Sequence, residues 1–129
     1  MLKTDEDIPY IQKPWGYEKI WAQTDDYAAK YLYVEAGHKL SRQYHEHKDK
    51  TLYVLTGPVI LEVGPDSEND EVLSLTLAEG EAYRLQPEAV HRVCAPADYD
   101  IEIIEASTSS PGDIIRLEDA YGRAPDINA

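Results

Sequence analysis

The chain has 129 residues, enough for one domain with its own core, and 43% of them are hydrophobic. Its formal net charge of −13 disfavours DNA, RNA and anionic membranes as partners. The single Cys94 excludes an internal disulfide. No apolar run approaches membrane-spanning length and the N-terminus lacks a signal-peptide core, so a cytoplasmic protein is expected. Phe is absent while Tyr occurs ten times, which leaves tyrosine to supply most of the aromatic bulk on half-buried strand faces.

Residues 1–12 are acidic and carry no strong pattern, so a loose N-terminal arm is expected there. Lys13-Pro14-Trp15-Gly16 reads as a turn into a first strand ending near Trp21. After the turn residues Thr24-Asp25-Asp26, Tyr27 to Glu35 alternates Ala29, Tyr31 and Tyr33 against Lys30, Leu32 and Val34, a strand with both faces partly covered. Ala36-Gly37 breaks it. A strand is expected from about Leu40 to His47, closed by the charged turn Lys48-Asp49-Lys50. Further strands are expected at Thr51–Leu55, Val59–Val63, Val72–Leu77, Ala82–Leu85, Val90–Ala95 and Tyr99–Ala106, divided by Gly, Pro and polar loops. Ser107 to Gly112 reads as a loop, and Asp113 is placed to cap a short turn leading into Ile114 to Arg123. No window has sustained helical periodicity. Roughly eight to ten short strands argue for a single all-β domain, a sandwich or a small barrel.

Three of the four histidines fall within Gly37–His47. His45 and His47 are two apart, a spacing that puts both imidazoles on one face of a strand, with Gln43 two residues earlier on that face. His91 follows a Gly-turn-strand-Pro segment and is expected to return to the same place. Together they make a candidate metal set of Gln43, His45, His47 and His91, suited to one divalent first-row ion such as Zn, Mn, Fe, Co or Ni. His38 sits on the Gly37 turn and is left out of that set. Glu46 alternates to the opposite face and reads as a solvated charge. Cys94 reads as core.

These residues resemble the two motifs of the cupins, Gly37 through His45-x-His47 to Gly57 and Gly80 through Pro87-x-Ala89-x-His91. Lys13-Pro14-Trp15-Gly16-x-Glu18, Leu40-Ser41-x-Gln43-x-His45-x-His47 and the run Asp113 to Arg123 are similar, more specifically, to the cupin domain of type II mannose-6-phosphate isomerases. The resemblance covers residues 13–123, leaving 124–129 as a C-terminal tail. It implies a double-stranded β-helix, the cupin jelly roll, and by fold analogy a homodimer. It also implies a metal-dependent aldose–ketose isomerase interconverting mannose 6-phosphate and fructose 6-phosphate. The alternatives are a non-catalytic metal- or sugar-binding cupin and a three-His iron-dependent dioxygenase.

The chain departs from the family where three consecutive histidines and an Arg become His45-Glu46-His47-Lys48, and where a Glu-His-Trp step becomes Lys50-Thr51-Leu52. The cupin pattern places a carboxylate ligand near Thr51, which leaves Gln43, a nearby Asp or water as the fourth ligand. For a sugar phosphate the guanidiniums of Arg42, Arg116 and Arg123 are the substrate-binding candidates, with Arg84 and Arg92 also available. Arg116 and Arg123 stand out because they lie in the matched tail. Lys48 and Arg116 are the catalytic candidates, Lys48 on condition that the turn swings it inward. In so acidic a chain, an anionic ligand requires a local positive pocket against the overall field.

Overall fold

The structure, a computed structural model, describes residues 1–110 and 112–122. These form eleven strands: β1 (Tyr10–Lys13), β2 (Gly16–Gln23), β3 (Tyr27–Val34), β4 (Arg42–His45), β5 (Lys50–Thr56), β6 (Val59–Val63), β7 (Leu73–Leu77), β8 (Ala82–Leu85), β9 (His91–Cys94), β10 (Ile101–Thr108) and β11 (Ile114–Glu118). Pairing is antiparallel, in a six-stranded sheet ordered β1-β2-β3-β10-β5-β8 and a five-stranded sheet ordered β11-β4-β9-β6-β7. This is the expected jelly-roll architecture. Among the described residues, no helix is long and apolar enough to cross a membrane.

The alternation read from the sequence becomes burial. Along β6, Val59, Leu61 and Val63 are buried while Ile60 and Glu62 are only half so; along β10, Ile101, Ile103, Glu105 and Ser107 face inward. Leu32, Val34, Leu52, Val54, Leu61, Ile101 and Ile103 fill the space between the sheets. Burying a side chain of this kind contributes roughly 1.5–3 kcal/mol, so this apolar layer is the main source of cohesion. The outer face of the larger sheet carries stacked tyrosines instead, with Tyr17 between Tyr10 at 4.8 Å and Tyr33 at 5.2 Å between ring centroids.

Several boundaries differ from expectation: β10 runs on through Ser107 and Thr108, expected as loop, and β5 begins at Lys50, expected in a turn. Residues 10–12, expected in a loose arm, pair with Tyr17 to Lys19 as the edge strand β1. The strand expected from Leu40 to His47 contracts to Arg42–His45, because Asp113 takes the backbone N–H groups of His47 and Lys48, each at 2.8 Å, and bends the chain there. The segment after Asp113 pairs with β4 as the strand β11. Arg123 and the tail 124–129 lie outside the described residues.

Gly16 explains the Pro-Trp-Gly turn. Its φ is +149°, and a Cβ there would stand 2.0 Å from the carbonyl oxygen of Tyr33 on the paired strand. Gly16→Ala is expected to lower stability by about 3 kcal/mol, read as the shift in the urea unfolding midpoint at constant slope.

Candidate functional site

The inward rows of the larger sheet change character along their length. On β3 the row runs Val34, Leu32, Lys30; on β5 it runs Val54, Leu52, Lys50; on β10 it runs Ile101, Ile103, Glu105. Register aligns these changes, since Glu105 sits opposite Lys30 on one side and Leu52 on the other, with Lys50 opposite Ser107. The apolar core therefore gives way, at one end of the barrel, to a partly open cavity of about 60 Å³. Lys13, Lys30, Lys48, Lys50 and Arg116 line it against two carboxylates, Glu18 and Glu105. A positive pocket thus exists inside a chain of net charge −13.

Those charges are held in place by one another. Lys50 Nζ lies 3.1 Å from Glu105, and both side chains are almost wholly buried. Lys30 and Lys13 approach Glu18 at 3.6 and 3.9 Å. Burial alone would raise the Glu105 pKa, but Lys50, Lys30 and the Lys50 hydrogen bond outweigh it and hold the carboxyl down at about 2. Lys48 is buried too, and among the described residues no carboxylate lies within ion-pair distance of its ammonium. Burial, then the charges of Lys30 and Lys50, lower its pKa.

Two imidazoles share this end of the barrel. His45 on β4 lines the cavity, and His91 on β9 packs beside it with ring centroids 6.3 Å apart. Gln43 also lines the cavity, is the register partner of His91, and accepts a hydrogen bond from Ser41 Oγ at 3.2 Å. His45 Nδ1 donates to Asp113 Oδ1 at 2.8 Å, and His91 Nδ1 donates to the Ala89 carbonyl at 2.9 Å. In both rings Nε2 is then the lone-pair nitrogen. Burial, followed by the charge of Lys50, lowers the His45 pKa to about 4 against the pull of Asp113. The same two causes lower that of His91 well below the ordinary value. Both rings are neutral at pH 7.

The other candidates are placed elsewhere. His47 is not part of the group: its side chain is 77% exposed beside Glu46, because β4 ends at His45 and the two-residue alternation ends with it. The same bend brings Lys48 into the cavity wall. Arg42 lies outside the cavity, its guanidinium against Glu62 at 2.7 Å, Glu118 at 3.2 Å and the Gly64 carbonyl. An inward Gln43 and an outward Arg42 follow from the same alternation, so Arg42 ties strands together and does not meet a ligand in this cavity. Arg92 donates to the Leu40 carbonyl, and Arg84 pairs with Asp49 at the surface. Arg116 lines the cavity.

Three of the residues that shape the site carry no motif, Lys30, Lys50 and Glu105, while Lys13 and Glu18 stand in the Pro-Trp-Gly motif with no role assigned to them. The available signal was a charge in phase with inward apolar residues on β3, β5 and β10 at once. Lys50 was hidden because it reads as the end of a charged turn. Asp113 was visible only as a capping residue, yet it orients His45 and shapes the bend.

The set expected to hold a divalent ion does not fit one. Two imidazoles and one amide remain after His47 leaves, and the nearby carboxylates are engaged, Glu105 by Lys50, Glu18 by two lysines and Asp113 by His45. Among the described residues no group of three His, Cys, Asp or Glu side chains converges. A cation would also meet the ammonium groups of Lys48 and Lys50.

Residues 4–119 match the family described as mannose-6-phosphate isomerase C-terminal. The chain is 30% identical over 116 residues to the alginate biosynthesis protein AlgA of Pseudomonas aeruginosa, covering 88% of this chain and 23% of that protein. It is 31% identical, with the same coverage, to the xanthan biosynthesis protein XanB of Xanthomonas campestris. A mannose-1-phosphate guanylyltransferase of Escherichia coli is 29% identical over 117 residues, 88% of this chain and 23% of that one. The chain thus spans under a quarter of the length of these relatives. The capsular polysaccharide assembling protein CapF of Staphylococcus aureus superposes with a TM-score of 0.76 at 15% identity, over 86% of this chain and 32% of that one. KdgF from Halomonas sp. gives 0.70 at 20% over 85% and 95%, and oxalate decarboxylase of Bacillus subtilis 0.75 at 13% over 87% and 30%. These structural likenesses establish the cupin fold.

Two outcomes follow from this geometry. Arg42→Ala is expected to cost about 2 kcal/mol in urea unfolding while leaving phosphate affinity, measured by calorimetry, unchanged. For His45, a folded pKa of about 4 against 6.5 unfolded means the unfolded chain binds the extra proton. Its contribution is complete above pH 6.5 and is lost as pH falls toward 4, by about 3 kcal/mol. The slope of melting temperature against pH in that window should flatten in His45→Gln.

Proposed function

Because the chain belongs to the mannose-6-phosphate isomerase C-terminal family, we propose that its cationic cavity binds a phosphorylated sugar and interconverts mannose 6-phosphate and fructose 6-phosphate. The observation that carries this reading is the gathering of five cationic side chains against two carboxylates in one cavity of an acidic chain. A phosphoryl group is the ligand such a pocket favours, and sugar phosphates are the compounds named for the family and for the guanylyltransferase relatives.

The isomerisation moves a proton between adjacent carbons while negative charge develops on the carbonyl oxygen. His45 is the base: its Nε2 lone pair is available, and Asp113 holds the tautomer through Nδ1. In the ligand-free cavity burial, followed by the charge of Lys50, keeps that imidazole a weak base. A bound phosphoryl dianion offsets the lysine charge and raises the ring toward a pKa useful at neutral pH. From the open-chain aldose, His45 takes the proton from C2 as the C1 carbonyl oxygen becomes an enediolate oxygen; the hydroxyl proton passes from O2 to O1 and His45 delivers its proton to C1, which gives the ketose, and the reverse course gives the aldose. Lys48, with no carboxylate within ion-pair distance among the described residues, is the cation placed to stabilise the developing oxyanion. Arg116 serves the phosphoryl group.

A second reading is a sugar-phosphate-binding cupin without turnover, favoured by the tight Lys50–Glu105 pair at the cavity's centre. The three-His dioxygenase alternative loses its basis with His47 at the surface. A coupled assay in both directions separates the first two. His45→Ala is expected to reduce turnover by roughly a hundredfold or more, and Lys48→Gln to weaken mannose 6-phosphate binding by roughly tenfold. Binding of mannose 6-phosphate with no turnover by the native chain would establish the second reading instead.

A further inference from the structure

We infer that this cavity holds no divalent metal ion, because Lys50 and its neighbouring cations engage the carboxylates beside it, and that it binds a phosphoryl group on Lys48 without one. The inference rests on the proposed function in one respect only, the choice of this cavity as the ligand site.

A divalent ion in a protein is ordinarily held by three or more imidazole, thiolate or carboxylate ligands. Here two imidazoles, His45 and His91, are joined only by the amide of Gln43, and among the described residues the neighbouring carboxylates are engaged by cations or by His45. Glu105 receives Lys50 at 3.1 Å with both side chains almost wholly buried, and stands opposite Lys30 across β3 and β10. Glu18 lies between Lys13 and Lys30. Asp113 accepts from His45 and from two backbone N–H groups. Lys50 itself cannot retreat to solvent without leaving Glu105 as an unpaired buried carboxylate.

The charge balance makes positive sense for an anion. Glu105 neutralises Lys50, and Glu18 is shared between two lysines, which leaves Lys48, with no carboxylate within ion-pair distance among the described residues, to meet incoming oxygens. A fixed ammonium has one advantage over a bound ion: it is covalently present at full occupancy and needs no particular ligand geometry. His91, 1% exposed, lies behind the cavity lining, and among the described residues its Nε2 has no hydrogen-bond partner.

The test uses the full chain expressed in medium supplemented with Zn, Mn, Co and Ni, desalted, and analysed for metal by mass spectrometry. Substoichiometric metal is expected, together with binding of inorganic phosphate and of mannose 6-phosphate that EDTA does not change. Lys50→Glu should gain a site, binding Zn or Mn roughly tenfold tighter than the native chain or better, and His91→Ala in that background should remove it. Lys50→Gln serves where Lys50→Glu fails to give a native circular dichroism spectrum. One equivalent of metal in the native chain that is lost in His91→Ala overturns the inference. So does phosphate binding abolished by EDTA, or failure of both Lys50 variants to take up more metal than the native chain. Failure of the proposed function looks different: metal-free protein that binds mannose 6-phosphate without turning it over leaves the inference standing, while turnover that requires an added metal does the reverse.

Discussion

The contact between Lys50 and Glu105 sets the character of the interior. A buried ion pair of this kind contributes little to stability once the cost of removing both charges from water is counted. Replacing it with Leu and Val, the residues that continue the same inward rows, would extend the apolar core to the end of the barrel. Its presence is what keeps that end polar and hollow. Lys30 and Glu18 are tolerable as buried or half-buried charges because they compensate one another, whereas Lys48 is buried without a carboxylate within ion-pair distance among the described residues. Burial, followed by the charge of Lys50, lowers the basicity of His45 and His91.

Much of the architecture could be read from period-2 alternation between Gly and Pro breaks. Val59–Val63 and Ala82–Leu85 form strands with the limits expected of them, because their alternation is uninterrupted and their ends are marked by turn residues. The site was less legible. Parity within a strand predicted Gln43 and His45 on one inward face and would have extended to His47, but parity holds only while the strand lasts. What ends β4 is a hydrogen bond from a segment almost seventy residues later in sequence, and no local pattern announces it. The inward lysines were unreadable for a related reason. A charged residue on a strand is ordinarily on the wet face, and only the pairing of β3, β10 and β5 shows that Lys30, Glu105 and Lys50 share the dry one.

Family and site bear on different questions. The fold belongs to a widespread jelly roll that carries unrelated activities, as the breadth of its structural likenesses shows, so the fold alone does not choose a reaction. The alginate, xanthan and guanylyltransferase relatives are several times longer, and the chain corresponds to a small part of each. Within that part, the positions read in the sequence as departures from the family include the exposed Glu46 as well as cavity residues. Lys48 and Lys50 are among them, and both side chains point into the barrel.

Segregation of charge gives this molecule a kinetic property that its net charge conceals. With cations concentrated in the barrel, the outer surface is more negative than the sum over the sequence, −13, implies. An approaching dianion is first repelled by that shell and only at short range attracted by the lysines within. Added salt screens the long-range repulsion more than the enclosed attraction, because charges shielded from solvent are screened much less than exposed ones. Capture should accordingly quicken with ionic strength, the reverse of an enzyme that steers its substrate by surface charge.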